Sequence, residues 1–383
     1  MTISVDSPNL LARVREVVPV LAAHAAQTEE QGRVAAASLD AARAAGALSM
    51  LVPHSHRGAG AGTRTAVEVI TELGRGCPST AWVAATNADA HILLDVFVPD
   101  SARDEVRADP DAVLCGAGQP VGRAEAVTGG IRLSGRWPYL SGCESARWAM
   151  VTAVVGEQPA WVLVPAEELD IERSWDVAGL QGTGSHTGVA DALFVPDAHW
   201  FPVAVTAQGA PDLSADPVMG ERSALMLLAA MVGAAQGAHD LVAATMHRRR
   251  PPLSAHPSLV ASPGARDHFA RASLVLDTAR RRTLEVADTV DRVRAGTTLP
   301  ATEPARLRIE MAQAARECRA ATELLLDLHG SSGFRSDNPL QRFWRDLSVG
   351  SRHAHFTSYL AVENYGDVLA ASLRDDLSQR SST

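Results

Sequence analysis

The sequence has no lysine: its 35 basic residues are all arginines. That excludes a pyridoxal Schiff base, a Walker-type Gly-Lys-Thr loop and any lysine nucleophile. Aromatic residues make up only 4% of the chain, so Trp137, Trp175 and Trp344 stand out wherever they fall. Cysteines number four, at positions 77, 115, 143 and 318, with no Cys-x-x-Cys pair. A disulfide framework and a zinc ribbon are thereby excluded, and a reducing cytoplasm is the expected location. The first six residues are acidic rather than basic and lack an apolar core, so no secretory signal is expected. No apolar run is long enough to span a bilayer; Ala224–Ala235, the longest, reads as a buried helix. Net charge is −9 and the pI is near 5.8, which argues against nucleic acid or an anionic membrane as the main partner.

What is present is ordinary for a soluble globular protein. Hydrophobic residues reach 46% over 383 positions, enough for a large core and two or three packed units. Residues 7–48 carry apolar side chains at three- and four-residue spacing, as an amphipathic helix does. The segment from His54 to Thr63 is rich in glycine, but Thr63 stands where a dinucleotide fingerprint needs its third glycine and no buried strand precedes it. A connector between helices is expected there. Helices are expected over Thr65–Arg75 and from Cys77 onward, with Pro78 near the first turn of the second and His91 on it.

From Ala112 to Pro202 the period shortens to two, which marks a β segment inside a helical chain. Its notable stretch is Arg136-Trp137-Pro138-Tyr139-Leu140-Ser141-Gly142-Cys143, a turn able to present backbone and a hydroxyl to a flat ligand. A second glycine-rich turn runs from Gly179 to His186. Its amides suit a phosphate or the edge of a flavin, or the turn is a plain hairpin loop. Val205–Asp216 reads as a linker and 253–264 as a loop. Long helices are expected over Ser223–Arg248, Arg266–Arg294 and Thr302–His329, and a last one carrying Leu340–Asp346 and Gly350–Phe356.

The order helix, β, helix, taken with Cys77–Trp82, Trp137–Gly142, Gly179–His186 and Pro339–Asp346, resembles the two-component flavin-dependent monooxygenases (group D) built on the acyl-CoA dehydrogenase fold. The likeness covers nearly the whole chain. It implies an α+β, acyl-CoA dehydrogenase-like architecture: an N-terminal helical domain over 1–110, a middle β-barrel or sandwich domain over 111–204 and a C-terminal four-helix bundle over 214–383. It also implies an oxygenase component that takes reduced flavin, FMNH2 or FADH2, from a separate NAD(P)H-flavin reductase. Such an enzyme uses O2 through a C4a-hydroperoxide to hydroxylate a small aromatic or polyketide-type substrate. N-oxygenation of an amine or amino sugar rests on the same chemistry. Oxidation of an acyl thioester is less well supported, because Gly350–His355 holds no carboxylate base.

The resemblance also assigns roles. His91, Ser141 and His353 would be catalytic, with Ser141 beside flavin N5 and the two histidines facing the substrate, where a histidine suits proton transfer near neutral pH. Trp137 and Gly142 would frame the ring, Gly182, Thr183, Gly184 and Ser185 would hold its pyrimidine or ribityl side, and Phe334, Arg335 and Arg345 would reach it from a neighbouring subunit. His355, two residues beyond His353 on a helix, is expected about 200° away from it. His186 is expected to be structural and no metal is expected. The Ala/Leu-rich C-terminal helices, together with the resemblance, imply a homotetramer, or at least a dimer.

Overall fold

The structure, a computed structural model, describes residues 7–204, 216–294, 296–300 and 302–381. The expected helix over 7–48 is two helices, α1 (Ser7–Gln31) and α2 (Ala36–Ala44), because the chain turns at Gly32 with φ at 64°. The next segment, His54–Thr63, closes on itself: the amides of Ala59, Gly60 and Ala61 return to the carbonyls of Ser49, Val52 and Met50. Its amides are therefore spent within the turn and cradle no phosphate. Three more helices follow, α3 (Thr63–Gly76), α4 (Pro78–Phe97) and α5 (Asp100–Arg107). Pro78 sits in the first turn of α4, where an amide would have had no helical partner.

Seven strands come next: β1 (Leu114–Val127), β2 (Gly130–Leu140), β3 (Trp148–Val155), β4 (Gln158–Pro165), β5 (Asp170–Glu172), β6 (His186–Pro196) and β7 (Trp200–Pro202). They form one mixed sheet in the order β5-β6-β2-β1-β3-β4-β7, in which only β1 and β3 run parallel. Alternation sorts their side chains. Trp148, Met150, Trp161 and Leu163 pack on Leu94, Val98, Ala102 and Val106 of the α4–α5 region. Ala149, Val151, Val162 and Val164 point the other way and join Ile131, Leu133 and Trp137 of β2 in a second core. With both faces covered, β3 reads as a nearly continuous apolar run.

The C-terminal part comprises α6 (Met219–Ala243), α7 (Pro263–Arg292), α8 (Thr302–His329), α9 (Pro339–Gly350) and α10 (Ser358–Ser381). α6 ends five residues before the expected Arg248. α9 stops at Gly350, so His353 caps a single 3₁₀ turn over Ala354–Phe356 and does not continue the α-helix. α6 extends well beyond the Ala224–Ala235 run and is long and apolar enough to cross a membrane by composition, yet 78% of its most apolar window is buried. It is the axis of a single helical core: Leu10 and Val14 of α1, Ile70 and Leu73 of α3, Leu276 of α7 and Leu325 of α8 all pack in the cluster that contains Leu225–Val232. Helices from the two ends of the chain thus make one body, with the sheet docked on α4.

Two glycines set the closest approach in that body. A Cβ on Gly233 would lie 2.3 Å from the Thr71 carbonyl oxygen, and one on Gly74 would lie 2.9 Å from the Gly233 Cα. Alanine normally stabilises a helix interior by up to about 1 kcal/mol over glycine. Here Gly233→Ala has to push α3 from α6, and the expected result is a net loss of about 1–3 kcal/mol in urea unfolding. A gain in stability would refute the close packing.

Candidate active site

Where the sheet meets the helical body, the chain leaves β2 through Tyr139 (φ 67°) and Gly142 (φ 77°). This turn brings Ser141 under α4. The Trp82 indole N–H of α4 donates to Ser141 Oγ at 3.2 Å. Ser141 Oγ lies 2.7 Å from Ser185 Oγ, which lies 2.7 Å from Thr183 Oγ1. Thr183 Oγ1 is also placed to donate to the Leu180 carbonyl at 2.8 Å. All four side chains of this run are buried. An indole only donates, so Ser141 must accept at that end. If Thr183 donates to Leu180, every proton in the run points inward and Ser141 gives its own to Ser185. The Leu180 carbonyl, however, also receives the Trp175 indole N–H at 2.9 Å and the Thr183 amide at 3.1 Å. It can therefore release the Thr183 proton, reversing the run and freeing the Ser141 proton for a ligand acceptor.

On its other side, the Trp82 ring meets His353 edge-on, with centroids 5.8 Å apart. The turn after α9 is held by Arg319, which donates to both the carbonyl and the hydroxyl of Ser351. His353 Nδ1 faces the His355 amide at 3.5 Å, which leaves the neutral ring its proton on Nε2. Burial, with the neighbouring His355, pushes the pKa of His353 down to about 4. At neutral pH it is an uncharged imidazole.

α9 also clamps the loop that carries the hydroxyls. The Leu180 amide donates to Asp346 at 2.6 Å, and burial pushes that carboxyl up to about 7. Arg345 donates to the Ala178 carbonyl at 2.6 Å and pairs with Glu29 of α1. A Cβ on Gly179 would sit 2.2 Å from the Arg345 carbonyl oxygen. Beside this clamp Tyr139, 62% exposed, stands edge-on to Trp175 at 6.0 Å.

Two family models match the chain: acyl-CoA dehydrogenase, N-terminal domain, over residues 8–96, and acyl-CoA dehydrogenase, C-terminal domain, over 225–358. A curated relative, the oxygenase component of the FADH2-dependent resorcinol hydroxylase of Rhizobium sp., is 32% identical over 374 residues, covering 90% of each chain. The chain belongs to the flavin-dependent monooxygenases of the acyl-CoA dehydrogenase fold. The flavin-dependent monooxygenase oxygenase subunit HsaA of Rhodococcus jostii is 29% identical over 93% of this chain and 97% of its own. The structure of XiaF from Streptomyces sp., solved with FADH2 and glycerol, superposes with a TM-score of 0.86 at 30% identity, over 95% of this chain and 96% of that one.

The residues of this monooxygenase fit a flavin. The exposed Tyr139, with the half-buried Trp175 edge-on behind it, offers an aromatic surface for a flat ring, and the reversible Ser141 proton suits a polar ring edge. Several expected positions turn out otherwise. Trp137 does not frame a ligand: it is fully buried in the core of the sheet and its indole donates to the Thr152 carbonyl at 2.8 Å. The alternation of β2 sends Trp137 inward, and the positive φ of Tyr139 turns that ring outward in its place. Gly142 and Gly182 are packing glycines, since a Cβ would meet Val83 at 2.9 Å and Thr28 at 2.3 Å. Gly184, with φ at 51°, lies against the Gly32 carbonyl oxygen, so this turn docks on α1 instead of presenting open amides. Thr183 and Ser185 do join Ser141.

His91 does not meet His353. Nine residues beyond Trp82 it is rotated by about 180° and displaced by about 13 Å along α4. Burial and the Arg107 charge push its pKa down to about 3, and neither ring nitrogen has a hydrogen-bond partner among the described residues. His355, in contrast, is a neighbour of His353, with centroids 5.1 Å apart, because a turn has replaced the expected helix. Arg345 is engaged within the chain. Phe334 is exposed and edge-on to Trp344, and Arg335 pairs with Asp337 at the surface, so neither touches the Ser141 cluster of its own chain. Trp82, Tyr139 and Trp175 are the residues at this site to which the sequence reading gave no role. Trp82 was visible within the Cys77–Trp82 motif, and Tyr139 within the turn.

Two outcomes check these placements. Trp137→Phe should lower stability by about 1–2 kcal/mol through loss of the buried indole hydrogen bond and the smaller ring while leaving reduced-flavin affinity unchanged, whereas Tyr139→Ala should weaken that affinity about tenfold in anaerobic titration. The buried histidines also predict acid sensitivity. Their folded pKa values lie below the unfolded value of about 6.5, so the unfolded chain takes up more protons and stability falls as pH drops below about 6.5. Each costs about 2 kcal/mol at pH 5 relative to pH 7. His91→Met should shrink the difference in urea midpoint between those two pH values; an unchanged difference would show that His91 is not buried as described.

Proposed function

We propose that this protein is the oxygenase component of a two-component system that hydroxylates a small aromatic substrate with dioxygen and reduced flavin delivered by a separate reductase. The observation that carries the reading is the meeting, at one point, of a buried Ser141 hydroxyl from the sheet, the Trp82 indole from α4 and a neutral His353 from the turn after α9. Reduced flavin, when bound, supplies the electrons that activate dioxygen for transfer of one oxygen atom. The chain's own share is binding, orientation and exclusion of water. Tyr139 and Trp175 hold the flavin ring. Ser141, backed by Ser185 and Thr183, offers its proton to the ring edge in a site walled from solvent by the sheet and α4. His353 orients a substrate hydroxyl. Its low basicity makes it a hydrogen-bond partner first and a proton acceptor only once the substrate's own charge supports it.

Names of relatives favour an aromatic substrate: one is a resorcinol hydroxylase, and another an indole-3-acetate monooxygenase from Pseudomonas putida. The names "oxygenase component" and "oxygenase subunit" favour the separate reductase. Assembly as a tetramer is part of the same reading. Tyr359, Val362, Leu369 and Leu373 lie exposed at three-, four- and seven-residue intervals along α10, a stripe suited to another copy, and the exposed Phe334 and Arg335 are open to a neighbour's site.

The test supplies chemically reduced FMN or FADH2, isotopically labelled dioxygen and a panel of phenols and amines. A phenol gaining one labelled oxygen atom is the expected product. Products from amines alone would turn the reading to N-oxygenation, and no product with any acceptor would sink it. His353→Ala should cut product formation roughly 100-fold with reduced-flavin affinity unchanged.

A further inference from the structure

Between Pro78 and Leu94, α4 is buried except at Thr86, Asp89 and Leu93. These three lie four, seven and eleven residues beyond Trp82, which turns them by about 40°, −20° and 20° from it. They therefore form a single stripe, and that stripe begins at the indole which holds Ser141 and faces His353. The other face of α4 is spent: Asn87 donates to the Leu48 carbonyl and accepts the Leu114 amide.

Asp89 stands on the stripe about 10 Å beyond Trp82. Facing it from the start of α6 is Ser223, only 6% exposed. The Ser223 hydroxyl is near enough to ease the Asp89 carboxyl, which burial nonetheless pushes up to about 6, and no cation contributes. Beyond that mutual approach, neither Asp89 Oδ1 nor Ser223 Oγ has a hydrogen-bond partner among the described residues. The Ser223 hydroxyl is thus the one donor turned toward this carboxyl, and the acceptor capacity left on Asp89 Oδ1 is what a bound donor would fill, for about 1–3 kcal/mol.

We propose that Asp89 and Ser223 anchor the far end of the substrate, and that this end carries a hydrogen-bond donor, a hydroxyl or an amino group, on a ring system that reaches from His353 along α4. The assignment rests on the monooxygenase reading and adds a substrate class to it. A carboxylate at the far end is the poorer match at neutral pH, because it would meet Asp89 with like charge.

Three probes test this on the full chain by calorimetric titration, with and without oxidised FMN: β-naphthol, a naphthalenediol with hydroxyls on opposite rings, and the matching hydroxynaphthoate. The diol should bind about tenfold more tightly than the naphthol, and the naphthoate more weakly than either. Asp89→Asn keeps the shape and adds an amide donor, so it should erase the diol preference and move the naphthoate ahead of the naphthol. Ser223→Ala should reduce the diol preference and leave the naphthoate last. Equal binding of the three probes by the native protein, binding of none of them, or an unchanged ranking in Asp89→Asn would overturn the proposal. The two readings fail separately: loss of labelled-oxygen transfer with the ranking intact sinks the monooxygenase reading alone, and transfer with a ranking indifferent to Asp89 sinks the anchor alone.

Discussion

The hydrogen bond from the Trp82 indole to Ser141 is the joint on which the structure depends. It ties the helical body to the sheet at the point where both are buried, and it fixes a hydroxyl that would otherwise rotate. A donor-only group at this end makes Ser141 an acceptor whatever happens at the other end of the hydroxyl run. The carbonyl of Leu180, receiving more donors than it has lone pairs, leaves the direction of the remaining protons open. Rigid heavy atoms with a reversible proton order suit a site that holds a cofactor in an exchangeable way.

Close backbone contacts bring these parts together. Gly179 lets the hydroxyl-bearing loop lie on α9, Gly182 and Gly184 let it lie on α1, and Gly142 lets the β turn lie on α4. At each of these points a single Cβ would force the layers apart. Glycines that read as a ligand cradle are thus the means by which three elements close on one loop. Arg345 follows the same pattern: it has the charge to meet a phosphate but is consumed in holding the Ala178 carbonyl and Glu29.

Burial sets the electrostatics. His353 and His91 are kept neutral by desolvation, and Asp346 and Asp89 are pushed toward the protonated form. The partners then separate them. Asp346 has the Leu180 amide and belongs to the scaffold, whereas Asp89 faces only the Ser223 hydroxyl and keeps acceptor capacity to spare. Among buried titratable groups, those with unmet hydrogen-bonding capacity on an open stripe point to ligands.

Much of this was legible in the sequence. Hydrophobic periodicity marked helix, β and helix in order; the absence of lysine removed whole classes of chemistry; and the motifs around Cys77–Trp82, Trp137–Gly142 and Gly179–His186 led to the family and to Ser141, Thr183, Ser185 and His353. These are local signals, carried by neighbours along the chain. What the tertiary structure decided is which way each side chain faces. Strand alternation buried Trp137 and the positive φ of Tyr139 turned that ring outward; helical rotation carried His91 away from Trp82 and brought Asp89 in line with it; and the end of α9 at Gly350 set His353 beside His355. Orientation depends on contacts between segments tens to hundreds of residues apart, and no local pattern contains it.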